Sequence, residues 1–149
     1  MSIQNIDYSL IRFFQRWAIP VARFGRFVVF VWFGILKVIG LSPAGPLVEN
    51  LFNHTIHFMS FPAFYLGFGL FEMLVGLLFL FRGAERIVLP LLLLHMIATC
   101  GPLFLIPEVT WSGFLVPTME GQYIITNLVI IACAMSIAAH LHPIGERKM

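Results

Sequence analysis

Three ionisable side chains, Lys37, Glu72 and His95, occur in stretches of the chain that are otherwise apolar. A carboxylate and an imidazole at one level of a helical bundle can share a proton or bind a polar headgroup, and a lysine can balance the charge. Thr99 follows His95 by four residues, which places both on one helical face. Asn127 lies in the last apolar stretch. We predict that these five residues form a ligand-binding or proton-linked site.

Each of these residues also has a structural interpretation. An ionised Glu72 facing lipid would cost several kcal/mol, so it must face protein, water or a partner, where it can serve as a hydrogen-bonding post. A single membrane histidine often only packs, Thr99 can bond its own helix backbone, and Asn127 can join two helices. For Lys37, the candidate acidic partners are Glu72, Glu49, Glu108 and Glu120.

Other polar residues complete the predicted site or are left outside it. Glu108, Glu120 and Gln122 are predicted at its mouth, next to the start of the last apolar stretch. His54 and His57 have no defined third ligand, so no metal site is predicted. Cys100 and Cys133 form no C-x-x-C pair, and whether they have a redox role stays open.

The composition indicates an integral membrane protein. The chain has 149 residues, of which 60% are apolar and 11% charged, and its mean hydropathy is +0.94; soluble domains are roughly half apolar and a quarter charged. No hydrophilic stretch is long enough to fold as a second, soluble catalytic domain. A net charge of +2, with the basic residues scattered, gives no indication of nucleic-acid binding.

Four apolar stretches are each about long enough to span a bilayer. They cover residues 24–39, 61–81, 87–106 and 123–140, which predicts an all-α, four-transmembrane-helix bundle in a single domain. Residues 3–18 are predicted to form a separate amphipathic helix on the membrane surface, because Pro20 interrupts the pattern. The apolar stripe of that helix consists of Ile6, Leu10, Phe13, Phe14 and Trp17.

The basic residues outside the predicted spans, together with Arg26 near the start of the first span, all fall on one side of the membrane. They are Arg12, Arg16, Arg23, Arg26, Arg82, Arg86, Arg147 and Lys148. The two opposite loops, 40–60 and 107–122, contain no lysine or arginine and carry three glutamates. By the positive-inside rule, both termini are predicted to be cytoplasmic.

The connections predict a compact bundle. A tight turn over residues 82–85 would make the second and third spans antiparallel neighbours. Ser42-Pro43 is typical of a helix start and predicts a short surface helix toward Phe58. Gly67, Gly69 and Gly76 would allow neighbouring helices to approach closely.

The chain resembles the DoxX-like superfamily of small four-helix membrane proteins, in particular its YkgB-like branch. The resemblance covers nearly all of the chain after the amphipathic start. Two positions depart from the family pattern: Thr126 stands where a basic residue is expected, and Gly45 where an acid is often found. The residues that carry the resemblance are Phe33-Gly34-Ile35-Leu36-Lys37, Leu41-Ser42-Pro43-Ala44, residues 67–76 around Glu72, Leu94-His95-Met96-Ile97-Ala98-Thr99, Pro107-Glu108, residues 117–123 and Asn127-Leu128.

The resemblance implies a bacterial inner-membrane protein close to redox chemistry. Some relatives look like membrane subunits of quinone-linked sulfur oxidoreductases, and others are associated with oxidant resistance. The leading hypothesis is therefore a membrane subunit of a quinone-linked redox or oxidant-defence system, with Glu72 and His95 at a quinone-like headgroup in a site open to the periplasm. No redox centre is encoded, so electrons would come from a partner subunit or the ligand, and the chain need not be catalytic.

Two other functions stay open. The first is an assembly or anchoring protein without chemistry of its own, and the second is a proton-coupled transporter of a small solute. Broken helices would favour transport, and Gly101-Pro102 is the only obvious break in the sequence. Besides the lipid bilayer, the partners considered are a redox subunit and further copies of this chain.

Overall fold

A computed structural model describes residues 3–81 and 83–139 of the chain. Over these residues the fold is helical, with one short antiparallel hairpin in the second half. The elements are α1 (Ile3–Val38), α2 (Gly45–Thr55), α3 (Phe61–Leu78), α4 (Glu85–Cys100), α5 (Pro102–Leu105), α6 (Pro107–Thr110), β1 (Trp111–Gly113), β2 (Val116–Pro117), α7 (Met119–Ile125) and α8 (Asn127–Ala138).

Among the described residues, four helical stretches are long and apolar enough to cross a membrane. They are Asn5–Val38, Phe61–Leu78, Glu85–Leu105 and Met119–Ser136. The predicted four-span helical architecture is confirmed at this level of length and composition. The predictions for Arg82, His140, Arg147 and Lys148 lie outside the described residues.

The first helix is longer than predicted. Residues 3–18 and the first span form one continuous helix, α1, with Pro20 inside it. The prediction of a separate element ending before Pro20 was therefore wrong. A proline removes only one backbone hydrogen bond, and the surrounding turns and the tertiary contacts after it can keep the helix continuous. The side chains of residues 5–18 are all exposed within the chain; their place on a membrane surface stays a prediction.

Glycines bring α1 and α3 into close contact. A Cβ on Gly34 would lie 2.6 Å from the carbonyl oxygen of Gly69, and a Cβ on Gly76 would lie 2.9 Å from the Cβ of Phe30. Because position 34 meets 69 and position 30 meets 76, the two helices run antiparallel. Gly69 and Gly76 thus pack as predicted, whereas Gly67 has nothing within 4 Å of its would-be Cβ.

We expect Gly34→Ala to destabilise the fold by about 1–3 kcal/mol, because the new methyl group would force the α3 backbone away. Gly67→Ala is the matched control, and we expect it to be neutral or stabilising by up to about 1 kcal/mol through helix propensity. Thermal unfolding of the purified protein in detergent measures both. Equal losses in the two variants would contradict the close contact at Gly34.

The predicted surface helix of the first outer loop begins later and ends earlier than expected. α2 starts at Gly45 rather than at Pro43, because the Oγ of Ser42 accepts from the amide of Ala44 at 3.4 Å and forms a turn before the helix. It ends at Thr55, before Phe58. The second outer loop forms α6 and the β1–β2 hairpin.

Two arginines near the start of the first predicted span lie within the bundle rather than outside it. Arg23 forms an ion pair with Glu85 at the start of α4. Arg26 is 5% exposed; its guanidinium donates to the carbonyl of Ile130 at 3.2 Å and lies over the ring of Phe79. The charge count behind the predicted orientation therefore includes two residues that join helices. The orientation itself stays a prediction.

Candidate functional site

Lys37, Glu72 and His95 form one buried charged cluster. The Nζ of Lys37 donates to Oε2 of Glu72 at 2.6 Å, and Nε2 of His95 lies 3.4 Å from Oε1 of the same carboxylate. The side chains of all three residues are at most 7% exposed. A buried lysine and carboxylate each carry a large desolvation cost, which their mutual contact offsets. Among the acids considered for Lys37, the structure selects Glu72.

The close approach of α1 and α3 positions this ion pair. The Cβ of Lys37 lies 3.0 Å from the would-be Cβ of Gly69, and Glu72 follows Gly69 by nearly one helical turn. Because α3 runs antiparallel to α1, that turn leads toward the start of α1. The lysine side chain therefore extends inward along α3, rather than outward to the end of its own helix. A larger residue at position 69 would separate the two charges.

Aromatic rings surround His95. Its imidazole stacks on Phe68 with ring centroids 5.3 Å apart, and Phe30 meets it edge-on at the same distance. Phe71 approaches at 6.0 Å. These contacts fix the ring while Glu72 engages one of its nitrogens. The other nitrogen, Nδ1, is buried and has no hydrogen-bond partner among residues 3–81 and 83–139.

The cluster lies in the wall of a cavity of about 540 Å³ between the helices. All five predicted residues, Lys37, Glu72, His95, Thr99 and Asn127, line it. Most of the remaining lining is apolar, so the space is less polar than the sequence suggested. Its volume falls within the range of roughly 300–1,000 Å³ that is typical of small-molecule sites.

Thr99 and Asn127 form a second polar contact in the same cavity. The Nδ2 of Asn127 donates to Oγ1 of Thr99 at 3.4 Å, and that hydroxyl donates to the carbonyl of Met96 at 3.1 Å. The hydrogen bonds expected from the structural interpretations of Thr99 and Asn127 are thus both present. Asn127 begins α8 directly after Thr126, where the last apolar stretch is interrupted between α7 and α8.

The three residues predicted at the mouth are not part of the cavity wall, and their place at its opening stays a prediction. Glu108, Glu120 and Gln122 are exposed, and none lines the cavity. Thr118 caps the start of α7 by accepting from the amide of Gly121, and the residues of α7 that line the cavity are Tyr123 and Ile124.

Sequence reasoning missed the wall that α2 contributes. Leu47, Val48, Leu51 and Phe52 line the cavity from that helix. Their helical spacing is the signal of an apolar face that must be covered, so α2 is a cavity wall as well as a surface helix. Tyr65 on α3 does not line the cavity, but its buried phenol oxygen has no hydrogen-bond partner in the described part of the chain.

Within residues 3–81 and 83–139, no three histidine, cysteine, aspartate or glutamate side chains gather in a way that could hold a metal ion. Cys100 and Cys133 are both free thiols.

Fold and site together define a multi-pass helical membrane protein with an internal cavity of ligand size and a buried lysine–glutamate–histidine cluster in its wall. The chain matches no protein-family model, and comparisons with curated proteins and with solved structures give no match.

Proposed function

We propose that the chain is the quinone-binding membrane subunit of a redox or oxidant-defence system, and that Lys37, Glu72 and His95 bind the ring of a quinol. The observation that carries the proposal is the unpartnered Nδ1 of His95, buried in the wall of a cavity of ligand size. A buried polar atom without a partner is costly, so a ligand that supplies the missing hydrogen bond is stabilised there.

The contacts of His95 define which chemical group fits. Because Nε2 faces the Glu72 carboxylate, we assign the imidazole proton to Nε2, which leaves Nδ1 as a hydrogen-bond acceptor. An acceptor requires a donor, and a phenolic hydroxyl is one. The Lys37 ammonium has three N–H groups, and one of them donates to Glu72. The others can donate to a second oxygen of the ligand. The two residues thus suit a ring that bears oxygens.

The rest of the cavity suits a planar apolar ring. Phe30, Phe33, Phe64 and Phe68 line it, and aromatic faces pack well against another ring. A bound quinol supplies electrons together with protons. In this chain, Nδ1 of His95 would accept a hydroxyl proton, and Glu72 would stabilise the resulting imidazolium. Because the Glu72 carboxylate also pairs with Lys37, it stabilises the imidazolium only in part. His95 would therefore hold the proton weakly and could release it again.

The setting of the site is part of the proposal. We propose that the chain belongs to the DoxX-like superfamily and lies in a bacterial inner membrane, with both termini cytoplasmic and the cavity reached from the periplasmic side. The orientation is supported by the asymmetry of charge between the loops, because the outer segments 40–60 and 107–122 carry Glu49, Glu108 and Glu120 and no lysine or arginine. A redox partner subunit would exchange electrons with the quinol.

The test is the quinone content of protein purified from quinone-containing bacterial membranes. We expect solvent extraction and absorption spectra to give about one quinone per chain in the wild type. Leu47→Trp fills the cavity from α2 and should lower this content by about tenfold. Leu41→Trp, an exposed position outside the cavity, is the matched control and should retain it. A wild-type protein without quinone that also fails to bind added quinol would overturn the proposal.

A second candidate function is proton-coupled transport of a small solute. Its support is the contact between Glu72 and His95 in the cavity wall, since such a pair can exchange a proton. Gly101 and Thr126 keep helical backbone angles, so neither is an unwound segment of the kind at which transporters bind substrates. Proteoliposomes with an imposed pH gradient test this function: solute flux that is lost in Glu72→Gln and kept in Glu49→Gln would favour it over the quinol site.

A further inference from the structure

A buried arginine on α1 lies beside Cys133 of α8. Arg26 is 5% exposed, and its Nε and Nη1 atoms have no hydrogen-bond partner among residues 3–81 and 83–139. Its third nitrogen, Nη2, donates to the carbonyl oxygen of Ile130 at 3.2 Å. Cys133 follows Ile130 by three residues, so both lie on the face of α8 that meets the guanidinium. Within the described residues, Cys133 is the ionisable side chain that acts on this guanidinium, and it lies within hydrogen-bonding reach.

The other groups at this end of the bundle do not supply the missing acceptors. Glu85 pairs with Arg23 and accepts from the amide of Gly83, so it is engaged elsewhere. The ring of Phe79 lies 5.0 Å from the guanidinium carbon and offers only its π face. A guanidinium stays charged at every physiological pH, and a buried N–H group without an acceptor is costly. An oxygen atom added beside Arg26 would therefore be stabilised.

We infer that Cys133 is a site of reversible oxidation by peroxide, and that the oxygen of its sulfenic acid accepts a hydrogen bond from Nε or Nη1 of Arg26. The two unpartnered donors carry the inference, because oxidation to the sulfenic acid gives the sulfur a strong acceptor at the cost of one added atom. The inference stands apart from the quinol site. Arg26 precedes Lys37 by eleven residues, or about 16 Å along α1.

The oxidation balances with a peroxide as its only co-reactant. The sulfur attacks one oxygen of hydrogen peroxide, the S–O bond forms as the O–O bond breaks, and the thiol proton leaves with the other oxygen as water. The sulfur loses two electrons, and the peroxide gains them. Hydrogen peroxide is small and uncharged, so it can reach a half-buried thiol near the end of a span. A dithiol reverses the step by forming its own disulfide and a second water.

Cys100 is the control within the same chain, which has two cysteines. Both thiols are half-buried, but Cys100 lies among apolar side chains such as Leu93 and Phe104. The protein is treated with hydrogen peroxide in lipid nanodiscs, and mass spectrometry follows each cysteine after the remaining thiols are alkylated. We expect Cys133 to gain one oxygen about tenfold faster than Cys100, because the guanidinium stabilises the charge that builds on the peroxide oxygens. Dithiothreitol should restore the Cys133 thiol.

Two arginine variants test the role of Arg26. Arg26→Met should slow the oxidation of Cys133 by about tenfold and leave that of Cys100 unchanged. Arg16→Met, at an exposed position of α1, is the matched control and should change neither rate. Thermal unfolding gives a second readout. The change in unfolding temperature on oxidation should be more favourable in wild type than in Arg26→Met by about 2–4 °C, because only wild type forms the new hydrogen bond.

Two results would overturn the inference. The first is equal oxidation rates for Cys133 and Cys100 in the wild type, a comparison that does not depend on whether a variant folds. The second is faster oxidation of Cys133 that Arg26→Met does not slow, because access of the peroxide would then explain the difference. Both results would leave the quinol site standing, since neither Arg26 nor Cys133 lines its cavity.

Discussion

Replacing Glu72 with leucine is expected to destabilise the folded protein by about 3–5 kcal/mol, because it leaves the Lys37 ammonium buried without its counter-ion. Lys37 donates to Glu72 at 2.6 Å, and the side chains are only 6% and 7% exposed. His95 would lose its anionic neighbour at the same time. Unfolding in mixed micelles with increasing denaturing detergent, followed by circular dichroism, measures the change in the free energy of unfolding.

The double variant Lys37→Met/Glu72→Leu tests whether the instability of Glu72→Leu comes from the unpaired Lys37 ammonium. Removing both charges leaves neither unpaired, so we expect it to regain most of the stability lost by Glu72→Leu. Glu49→Leu, at an exposed position on α2, should change stability by less than about 0.5 kcal/mol. A double variant as unstable as Glu72→Leu would mean that the pair does not act as a unit.

The second expected result concerns ligand binding and uses two replacements of His95. Glutamine can keep an amide near the position of Nε2, and thus the contact with Glu72, but has no polar atom at the position of Nδ1. Asparagine is shorter and keeps a polar atom near Nδ1 instead. We expect His95→Gln to fold normally and to weaken binding of a tail-less quinol by about tenfold or more, because the hydroxyl loses its acceptor. His95→Asn should retain more of the binding and less of the stability.

His57→Gln is the control for this pair, since His57 is exposed outside the cavity. Equilibrium binding of a radiolabelled tail-less quinol and thermal unfolding, measured on the same preparations, give both quantities for each variant. If His95→Gln binds as tightly as wild type and both variants lower only the yield of folded protein, His95 is a packing residue. That result would favour an assembly or anchoring function over the quinol site.

Much of the architecture could be predicted because spans are local properties of a sequence. A run of about twenty apolar residues must be helical to satisfy its backbone in lipid, whatever lies beside it. For the same reason, Glu72 and His95 could be recognised as buried polar residues from their positions alone. Helix boundaries were less predictable. A proline such as Pro20 is typical of the end of a helix, yet α1 continues through it.

The residues of the site could be named in advance, but their partners could not. Lys37 had several acids within reach, and the choice of Glu72 depends on the contact between Gly34 and Gly69, which sets the distance between α1 and α3. Likewise, Tyr123 and Ile124 of α7 line the cavity, whereas the neighbouring Gln122 is exposed and does not. Such features arise from rotations of helices against one another, and apolar periodicity constrains those rotations weakly when both faces of a helix are apolar.

By itself, the amino-acid sequence determined that this is a membrane protein of four apolar helical stretches with ionisable groups inside them, because hydrophobic length and the cost of burying charge are properties of each segment alone. Only the tertiary structure decided that Lys37, Glu72 and His95 meet in the wall of one cavity and that α2 forms part of that wall. These features depend on which helix faces which and how closely, and close packing between separate segments sets both.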